Sequence, residues 1–377
     1  MKCNAFNEFR CRSCDYLDLS YLDTLKKKEK SFHEAFFDSS IKELLPTIGL
    51  LEAKGSRNKA KLAVALVNNE IKFGLYSREK QFSELMDCPL HHDEINDLLD
   101  PLAQLLKQFN IIPYDLETQK GELKYVLLTR SQSTKEIMLR FVLRSLESID
   151  RIRIMTTELQ SKWPHLAMIS VNLQPEHKAI LEGEKEIIFS PKNSITHMYS
   201  PFQIKLGPKS FFQVTSEIAQ KLYQSVSEHL KNKESKNILD LYCGVGAFSL
   251  YVSPFATKVV GVEISKEAID FANENKKINK ISNIEFSALD VNNFLKNNSI
   301  NFDTIIVNPP RRGLGAENIE LILKFNAETL IYSSCNVQSL KSDWDLLKKY
   351  YKVDTAQIFD MFPFSKHFET LMIFSRI

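Results

Sequence analysis

The chain has 377 residues, of which 44% are hydrophobic and 25% charged, and its formal net charge is +2. A chain of this length can form two or three domains with hydrophobic cores. The small net charge does not by itself indicate a nucleic-acid-binding protein. No apolar run of about 18 residues is present, which excludes a typical membrane-spanning helix. Residues 1–8 lack the apolar centre of a secretory signal, so we expect a cytoplasmic protein with no membrane partner.

Four of the six cysteines form a pattern typical of metal ligands. Cys3, Cys11 and Cys14 lie within twelve residues, and Cys88 follows later, directly before Pro89. In a reducing compartment, metal ligation or catalysis explains such cysteines better than disulfide bonds do. Three clustered cysteines closed by a distant Cys-Pro favour a [4Fe–4S] cluster. A four-cysteine zinc site fits the count as well, although zinc ligands more often come as two short pairs.

The first two hundred residues combine strands and helices. The basic run at residues 26–30 is typical of the solvated face of a helix. Residues 149–163 predict an amphipathic helix. Apolar patterns predict strands over residues 59–67, 72–76, 121–130, 136–144, 166–173 and 184–189. We therefore expect an N-terminal region over residues 1–95 and a central α+β domain over residues 96–205.

From residue 206 onward, helices and strands alternate in the manner of a parallel α/β sheet. The predicted helices cover residues 216–230 and 265–279. The predicted strands cover residues 237–242, 258–263, 283–287, 302–307 and 329–333, with a closing pair at 355–360 and 370–375. This alternation predicts a Rossmann-like α/β domain over residues 206–377.

A glycine-rich turn follows the first strand of this domain, in residues 240–246. Gly244 and Gly246 allow a tight turn and a close approach of a ligand to the backbone. Glu263 comes about 20 residues further on, where a carboxylate can accept both hydroxyls of a ribose. Ser249 stands where the dinucleotide motif has its third glycine. This difference argues against a pyrophosphate cofactor and favours S-adenosylmethionine, which has no phosphate.

Two later strand ends contribute to the same predicted pocket. Asn308-Pro309-Pro310 follows the fourth strand and forms a rigid wall at the carboxyl edge of the sheet, where ligands of such sheets bind. Arg311 comes next, where amino-group methyltransferases carry an aromatic residue, so an exocyclic amine is not the expected target. Asp290, after the third strand, can contact the adenine amino group of the cofactor or cap the next loop.

The fifth strand ends at a thiol, Cys335, within residues 332–336. A single cysteine is most often a small buried hydrophobe. At the edge of a cofactor-binding sheet, however, a thiol is placed to attack a substrate covalently while a second reactant lies beside it. We therefore interpret Cys335 as a nucleophile.

These segments together resemble the S-adenosylmethionine-dependent RNA uracil C5-methyltransferases. The matching segments are residues 208–213, 240–246, 308–313, 333–336, 359–363 and 367–370. The four N-terminal cysteines resemble those of the branch of this family that carries an iron–sulfur cluster. The resemblance thus extends over the whole chain.

The resemblance implies a role for each site residue. Cys335 is the thiolate that adds to carbon 6 of uracil, with a pKa lowered by Arg311 or Arg312. Glu369 is the base that removes the carbon 5 proton. Gln213, Tyr242, Glu263 and Asn308 match the positions that contact S-adenosylmethionine in the family, and Gly244 and Asp290 are expected to bind it from their places in the sequence. The ligands expected for the [4Fe–4S] cluster are Cys3, Cys11, Cys14 and Cys88.

The resemblance also implies the partner, a uridine of 23S rRNA that is flipped out of its loop for reaction. The N-terminal and central regions would hold the RNA, with residues 57–59 and 130–144 as basic candidates, and the cluster would act as a brace or an RNA contact. We expect a monomer and no DNA partner. Two alternatives remain: the same chemistry on another rRNA or tRNA uridine, and a non-catalytic iron–sulfur RNA-binding factor.

Overall fold

The computed structural model describes residues 1–77, 79–178, 180–231, 233 and 235–377. They form two compact units. Unit 1 consists of Met1–Leu17, Glu52–His197 and Leu206–Pro208. Unit 2 consists of Asp18–Leu51, Met198–Lys205 and Lys209–Ile377. Within the described residues, no helix is long and apolar enough to cross a membrane.

Helices and strands are numbered in chain order. The helices are α1 (Asn4–Asn7), α2 (Tyr21–Phe36), α3 (Asp93–Gln108), α4 (Ile149–Lys162), α5 (Ser216–Leu230), α6 (Ala247–Val252), α7 (Lys266–Ile278), α8 (Val291–Asn297), α9 (Gly315–Leu323) and α10 (Val337–Leu347). The strands are β1 (Ile41–Leu44), β2 (Lys59–Val67), β3 (Glu70–Tyr76), β4 (Phe82–Glu84), β5 (Leu123–Arg130), β6 (Ile137–Leu143), β7 (Leu166–Leu173), β8 (Lys185–Ile188), β9 (Ile195–Tyr199), β10 (Phe202–Leu206), β11 (Ser235–Leu241), β12 (Ala256–Glu263), β13 (Ile284–Ala288), β14 (Thr304–Val307), β15 (Thr329–Ser334), β16 (Tyr351–Phe359) and β17 (Glu369–Arg376).

Unit 1 contains a seven-stranded sheet in the order β4-β3-β2-β5-β6-β7-β8. Neighbouring strands are antiparallel except β6 and β7, which are parallel and are connected through α4. Alternate residues of β2, such as Leu62 and Val64, point into one core with Leu98 and Leu102 of α3. The period of two in the strand and about 3.6 in the helix explains why these apolar residues share one face.

Unit 2 contains an eight-stranded sheet in the order β1-β16-β17-β15-β14-β11-β12-β13. β17 is antiparallel to both of its neighbours, β15 and β16, whereas the pairs from β15 to β13 are parallel. The chain order reverses between β11 and β14, where Leu241 pairs with Val307. In open α/β sheets, ligands bind at the carboxyl ends of the strands at such a switch point.

The predicted strands and helices are present, but the chain is divided differently from the expected three regions. The predicted boundary at residues 95 and 96 falls inside α3. Residues 18–51, expected in the N-terminal region, pack with unit 2 because β1 pairs with β16 and α2 contributes Phe32 and Phe36 to its core. The expectation of a solvated run at residues 26–30 is wrong for Lys28, which is buried.

A buried carboxylate holds the loop between β14 and α9. Asp343 of α10 accepts hydrogen bonds from the backbone N–H groups of Leu314 (2.7 Å) and Gly315 (3.2 Å) and from the hydroxyl of Tyr332 (2.6 Å). A Cβ on Gly313, where φ is +81°, would lie 2.6 Å from Asp343 Oδ2. The loop that begins at the Asn-Pro-Pro segment is therefore fixed to β15 and α10.

Replacement of Asp343 by Ala should lower the free energy of unfolding of unit 2 by about 3 kcal/mol, because two backbone N–H groups and a buried hydroxyl lose a charged acceptor. Asp345→Ala in the same helix is the matched control, since its carboxylate is 43% exposed and pairs with Lys341 and Lys348. The control should cost less than about 1 kcal/mol. Urea denaturation measures both, and equal losses would contradict the account.

Candidate active site

Strand pairing brings Cys335 and Glu369 to the same edge of the sheet. β15 and β17 are antiparallel, with Ser334 opposite Thr370, so the residue after β15 and the first residue of β17 face each other across the ladder. On the other side, Phe359 of β16 pairs with Glu369. Two residues 34 positions apart in the sequence thus meet at the carboxyl end of the parallel strands.

Asn336 fixes the backbone around the thiol. Its side-chain oxygen accepts a hydrogen bond from Gln338 N (3.1 Å) and so caps α10. Its Nδ2 donates to the carbonyl oxygen of Arg311 (2.9 Å). The loop after β14, which begins with the Asn-Pro-Pro segment, is thereby tied through Arg311 to the residue that follows Cys335.

The pKa of Cys335 is raised, which corrects the predicted lowering. Burial is the largest cause, followed by the negative charge of Glu369. The guanidinium of Arg311 acts in the predicted direction, through its charge and a hydrogen bond to the thiol, but it does not outweigh these two. Arg312 acts elsewhere, since its charge lowers the pKa of Tyr242. The sequence could not reveal how deeply the thiol is buried.

Glu369 is a buried carboxyl group whose pKa lies near neutral pH. Only 2% of the residue is exposed. Burial raises its pKa to about 7, while a hydrogen bond from Ser333 Oγ to its Oε1 (2.5 Å) opposes this rise by stabilising the carboxylate. A carboxylate with such a pKa is suited to general base catalysis near neutral pH. Ser333 lies within the Ser-Ser-Cys-Asn segment, but no sequence signal assigned it this role.

The turn between β11 and α6 adopts left-handed backbone conformations. Tyr242, Gly244 and Gly246 have φ values of 61°, 55° and 83°. A non-glycine residue in this region is uncommon and often marks a functional site. A Cβ on Gly246 would lie 2.6 Å from the ring of Phe286, whereas a Cβ on Gly244 would meet no atom within 4 Å. Gly246 is thus required for packing, and Gly244 borders open space.

Sequence reasoning assigned no site role to Asp240, the last but one residue of β11. Its carboxyl group is buried, which raises its pKa to about 7. Oδ2 accepts a hydrogen bond from Ser249 Oγ (2.6 Å), and Oδ1 has no partner among the described residues. Ser249, which replaces the third glycine of the dinucleotide motif, therefore partners a buried acid. The position of this aspartate just before the glycine-rich turn could have marked it as a site residue in the sequence.

The other predicted cofactor residues also lie in unit 2. Glu263 ends β12, and its Oε1 accepts a hydrogen bond from Ser265 N (3.0 Å). Asn308 follows β14 directly, and its backbone nitrogen donates to the carbonyl oxygen of Leu241 (3.4 Å). Asp290 is the N-cap of α8, where Oδ1 accepts from Asn293 N (3.2 Å), so the capping alternative is present. Gln213 is buried in the segment before α5.

The four N-terminal cysteines lie in unit 1. Burial is the largest cause of the raised pKa of the Cys14 thiol. The charge of Arg57 lowers this pKa, and the other three cysteines raise it. Among the described residues, however, no group of three or more Cys, His, Asp or Glu side chains is arranged to hold a single metal ion. The cysteines are therefore neighbours, without the geometry of a one-ion site.

The predicted basic candidates in the central region are mostly engaged within unit 1. Arg130 pairs with Glu94 (2.5 Å), and Arg144 pairs with Glu122 (2.9 Å). Arg140 is buried and pairs with two glutamates, at residues 182 and 186. Arg140 is thus enclosed by its ion pairs, whereas the Arg144 side chain remains 42% exposed beside its glutamate.

Comparison with known proteins agrees with this site. The tRNA (Uracil-5-)-methyltransferase family matches residues 20–377. The 23S rRNA (uracil(747)-C(5))-methyltransferase of Xenorhabdus nematophila is 36% identical over 373 residues, which cover 99% of each chain. The protein of the same name from Shewanella loihica is 37% identical over 379 residues, which cover 100% of each chain.

Among solved structures, the tRNA (uracil-54, C5)-methyltransferase of Pyrococcus abyssi in complex with S-adenosyl-L-homocysteine superimposes with a TM-score of 0.78. The two are 25% identical, and the match covers 94% of this chain and 84% of that one. Sheet order and site thus define an α/β methyltransferase. The chain belongs to the tRNA (uracil-5-)-methyltransferase family, which confirms the resemblance noted in its sequence.

The opposing effects of Glu369 and Arg311 on the pKa of Cys335 can be measured directly. Glu369→Gln removes a negative charge and should lower the pKa of the thiol, whereas Arg311→Gln should raise it. The pH dependence of iodoacetamide alkylation, followed by mass spectrometry of the peptide that contains Cys335, reports this pKa. Arg312→Gln is the matched control and should leave it unchanged. Shifts of Cys335 in the same direction for Glu369→Gln and Arg311→Gln would contradict the described electrostatics.

Proposed function

We propose that this protein uses S-adenosylmethionine to methylate carbon 5 of one uridine in 23S rRNA, at the position that its relatives' names number 747. Those relatives match nearly the whole chain, which supports the substrate. The single observation that carries the proposal is the opposition of Cys335 and Glu369 at the ligand-binding edge of the sheet. We expect it to act as a monomer in the cytoplasm, with no DNA or membrane partner.

The turn after β11 fits S-adenosylmethionine, which supplies an electrophilic methyl group when bound. The open space beside Gly244 admits a ligand against the backbone. The unpartnered Oδ1 of Asp240 offers a buried acceptor for the ammonium group of a ligand. Glu263, at the end of the neighbouring strand, would accept the ribose hydroxyls. The remaining proposed contacts are Gln213, Tyr242, Asp290 and Asn308.

The chemistry requires both a nucleophile and a base. The thiolate of Cys335 forms a bond to carbon 6 of uracil, and the electron pair of the 5,6 double bond moves toward carbon 5 and the carbonyl oxygen. Carbon 5, otherwise a poor nucleophile, would then bond to the methyl group, while the bond between that methyl group and the sulfonium sulfur of the donor would break and leave a neutral thioether. Glu369 next removes the carbon 5 proton, the double bond re-forms, and the bond from sulfur to carbon 6 breaks to release the thiolate.

The two catalytic groups influence each other through charge. An ionised Glu369 raises the pKa of Cys335, so the thiolate forms more readily when Glu369 is protonated. Proton abstraction from carbon 5 needs the opposite state, an ionised Glu369. A pKa of about 7 makes both states accessible near neutral pH. Arg311, whose charge favours the thiolate, would assist the first step.

The target uridine must leave its stack before the thiol can reach carbon 6. Single-stranded loops of rRNA offer such bases at a low energetic cost. The proposed catalytic groups all lie in unit 2, and we assign RNA binding chiefly to unit 1, as its α+β architecture and the family resemblance support. Arg57 and Lys59 remain basic candidates there.

Unit 1 is also the proposed site of a [4Fe–4S] cluster. The proposed ligands are Cys3, Cys11, Cys14 and Cys88. Two buried nitrogens lack a partner among the described residues: Nε of Arg57, whose charge acts on Cys14, and Nε2 of His92, which is near Cys88 in sequence. They would suit the sulfurs of a cluster, and the charge of Arg57 would offset the thiolates. The ligand sulfur atoms around a [4Fe–4S] cubane lie further apart than those around a single metal ion. The cluster would brace unit 1.

Removal of the thiol should abolish methylation. Cys335→Ala is expected to lower single-turnover methyl transfer to a 23S rRNA fragment by at least about 10³-fold, because carbon 5 loses its activation. Its affinity for S-adenosylmethionine should be unchanged. Mass-spectrometric mapping should find a methyl group on uridine 747 in rRNA from cells with the gene. This methyl group should be missing in rRNA from cells without the gene.

The outcomes distinguish the alternatives. Methyl transfer to tRNA, or to another rRNA uridine, would replace the proposed substrate but keep the chemistry. Full activity of Cys335→Ala would exclude the covalent mechanism. A wild-type protein that binds RNA and S-adenosylmethionine but methylates neither RNA class would favour a non-catalytic iron–sulfur factor.

Metal analysis tests the cluster separately. Protein purified without oxygen should contain about four iron and four sulfide ions per chain, and Cys14→Ala should lose most of both. Cys335→Ala is the control and should retain them, since this thiol is assigned to catalysis. Stoichiometric zinc without iron would contradict the proposed cluster in favour of the four-cysteine zinc site.

A further inference from the structure

Helix α2 carries a charged residue in its buried stripe. Thr24, Lys28, Phe32 and Phe36 recur every fourth residue, and all four are buried. The side chain of Lys28 has no solvent exposure, although it lies in a run of basic residues. A buried ammonium group is costly unless it is paired and hydrogen-bonded, so its partners indicate what it does.

Two partners of Lys28 belong to the loop at residues 360–368, which joins β16 to β17. Its Nζ lies 2.5 Å from Asp360 Oδ1 and donates to the carbonyl oxygen of Phe362 (2.8 Å). Asp360 is likewise fully buried, and its Oδ2 accepts a hydrogen bond from the hydroxyl of Tyr21 (2.7 Å). Tyr21 precedes Lys28 by two helical turns, so one face of α2 holds the loop.

Other contacts fix the same loop. The N–H of Asp360 donates to Ile48 O (2.8 Å), and Thr215 Oγ1 donates to Met361 O (2.9 Å). Phe364 has a left-handed φ of 58°, and its ring lies 5.6 Å from that of Tyr21. A strained residue of this kind persists only where its surroundings determine the conformation.

The loop ends directly at the proposed base. Phe359 and Glu369, the residues that flank it, face each other in the β16–β17 ladder. The position of the Glu369 carboxylate therefore depends on how the loop closes over these two strand ends. Because a displacement of about 1 Å can cost about 100-fold in rate, a fixed loop has a direct catalytic value.

We propose that Lys28 is a positioning residue for methyl transfer: through Asp360 and Phe362 it fixes the loop that places Glu369. This inference rests on the proposed role of Glu369 as the base. Apolar residues of similar volume stabilise a fold as well as a buried ion pair does, or better. The pair between Lys28 and Asp360 thus serves to select one loop conformation.

Lys28→Met should lower kcat by about 100-fold, with little change in the KM for RNA or in S-adenosylmethionine binding. Because proton abstraction would become slow after methyl transfer, a denaturation-resistant protein–RNA adduct should accumulate on ordinary uridine RNA. Gel electrophoresis under denaturing conditions detects this adduct. A general loss of stability does not produce it.

A second variant separates positioning from stability. Lys28→Met leaves the charge of Asp360 buried and unpaired, which should also lower the melting temperature. The double variant Lys28→Met with Asp360→Asn removes that charge and should recover stability while kcat stays low. Recovery of kcat together with the melting temperature would show a merely structural role and overturn the proposal. Phe32→Leu, in the same stripe, is the control: it should lower the melting temperature but retain kcat at 25 °C.

Two further variants complete the test. Glu369→Gln should accumulate the same adduct; if it does not, the proposed base is wrong. If it does, and both variants at Lys28 have wild-type kcat and no adduct, the positioning role is wrong. Should the Lys28 variants fail to fold, Tyr21→Phe decides, because it removes the hydroxyl that donates to Asp360 and accepts from Leu50 N (2.9 Å) but keeps the pair between Lys28 and Asp360. It should show a smaller loss of kcat with some adduct, and wild-type behaviour would overturn the proposal.

Discussion

The insertion of β17 between β15 and β16, antiparallel to both, is the constraint on which the site depends. In an all-parallel sheet, the first residue of a strand lies at the edge opposite to the ligands. The reversed direction of β17 brings its first residue, Glu369, to the carboxyl edge, next to the thiol that follows β15. The proposed nucleophile and the proposed base, from distant segments, thus share one edge with the turn after β11.

Burial gives this edge its chemical character. It raises the pKa of both Cys335 and Glu369, and their like charges make ionisation of one oppose ionisation of the other. The thiol of Cys335 is therefore held mainly in its neutral form, whereas Glu369, with a pKa of about 7, has both forms accessible near neutral pH. The positive charge of Arg311 lowers the pKa of Cys335 and so offsets part of its rise. The hydroxyl of Ser333 does the same for Glu369. The raised pKa of Cys335 therefore limits the fraction of reactive thiolate.

The sequence predicted the sheet strands and the segments around the site well, because period-two patterns, glycine turns and the Ser-Ser-Cys-Asn segment are local signals. It failed where long-range packing decides. The basic run around Lys28 looks solvated until its partner Asp360, more than 300 residues away, is known. The pKa of Cys335 was predicted in the wrong direction because burial cannot be read from neighbouring residues. Likewise, Arg140 looks free for RNA but is paired within unit 1.

The most direct test of the covalent mechanism uses RNA in which the target uridine is replaced by 5-fluorouridine. Fluorine at carbon 5 cannot be removed as a proton, so the bond from sulfur to carbon 6 should persist after methyl transfer. Mass spectrometry of the digested complex should locate one methylated nucleotide on the peptide that contains Cys335. Turnover on ordinary RNA without any such adduct, or an adduct on Cys243 instead, would contradict the mechanism.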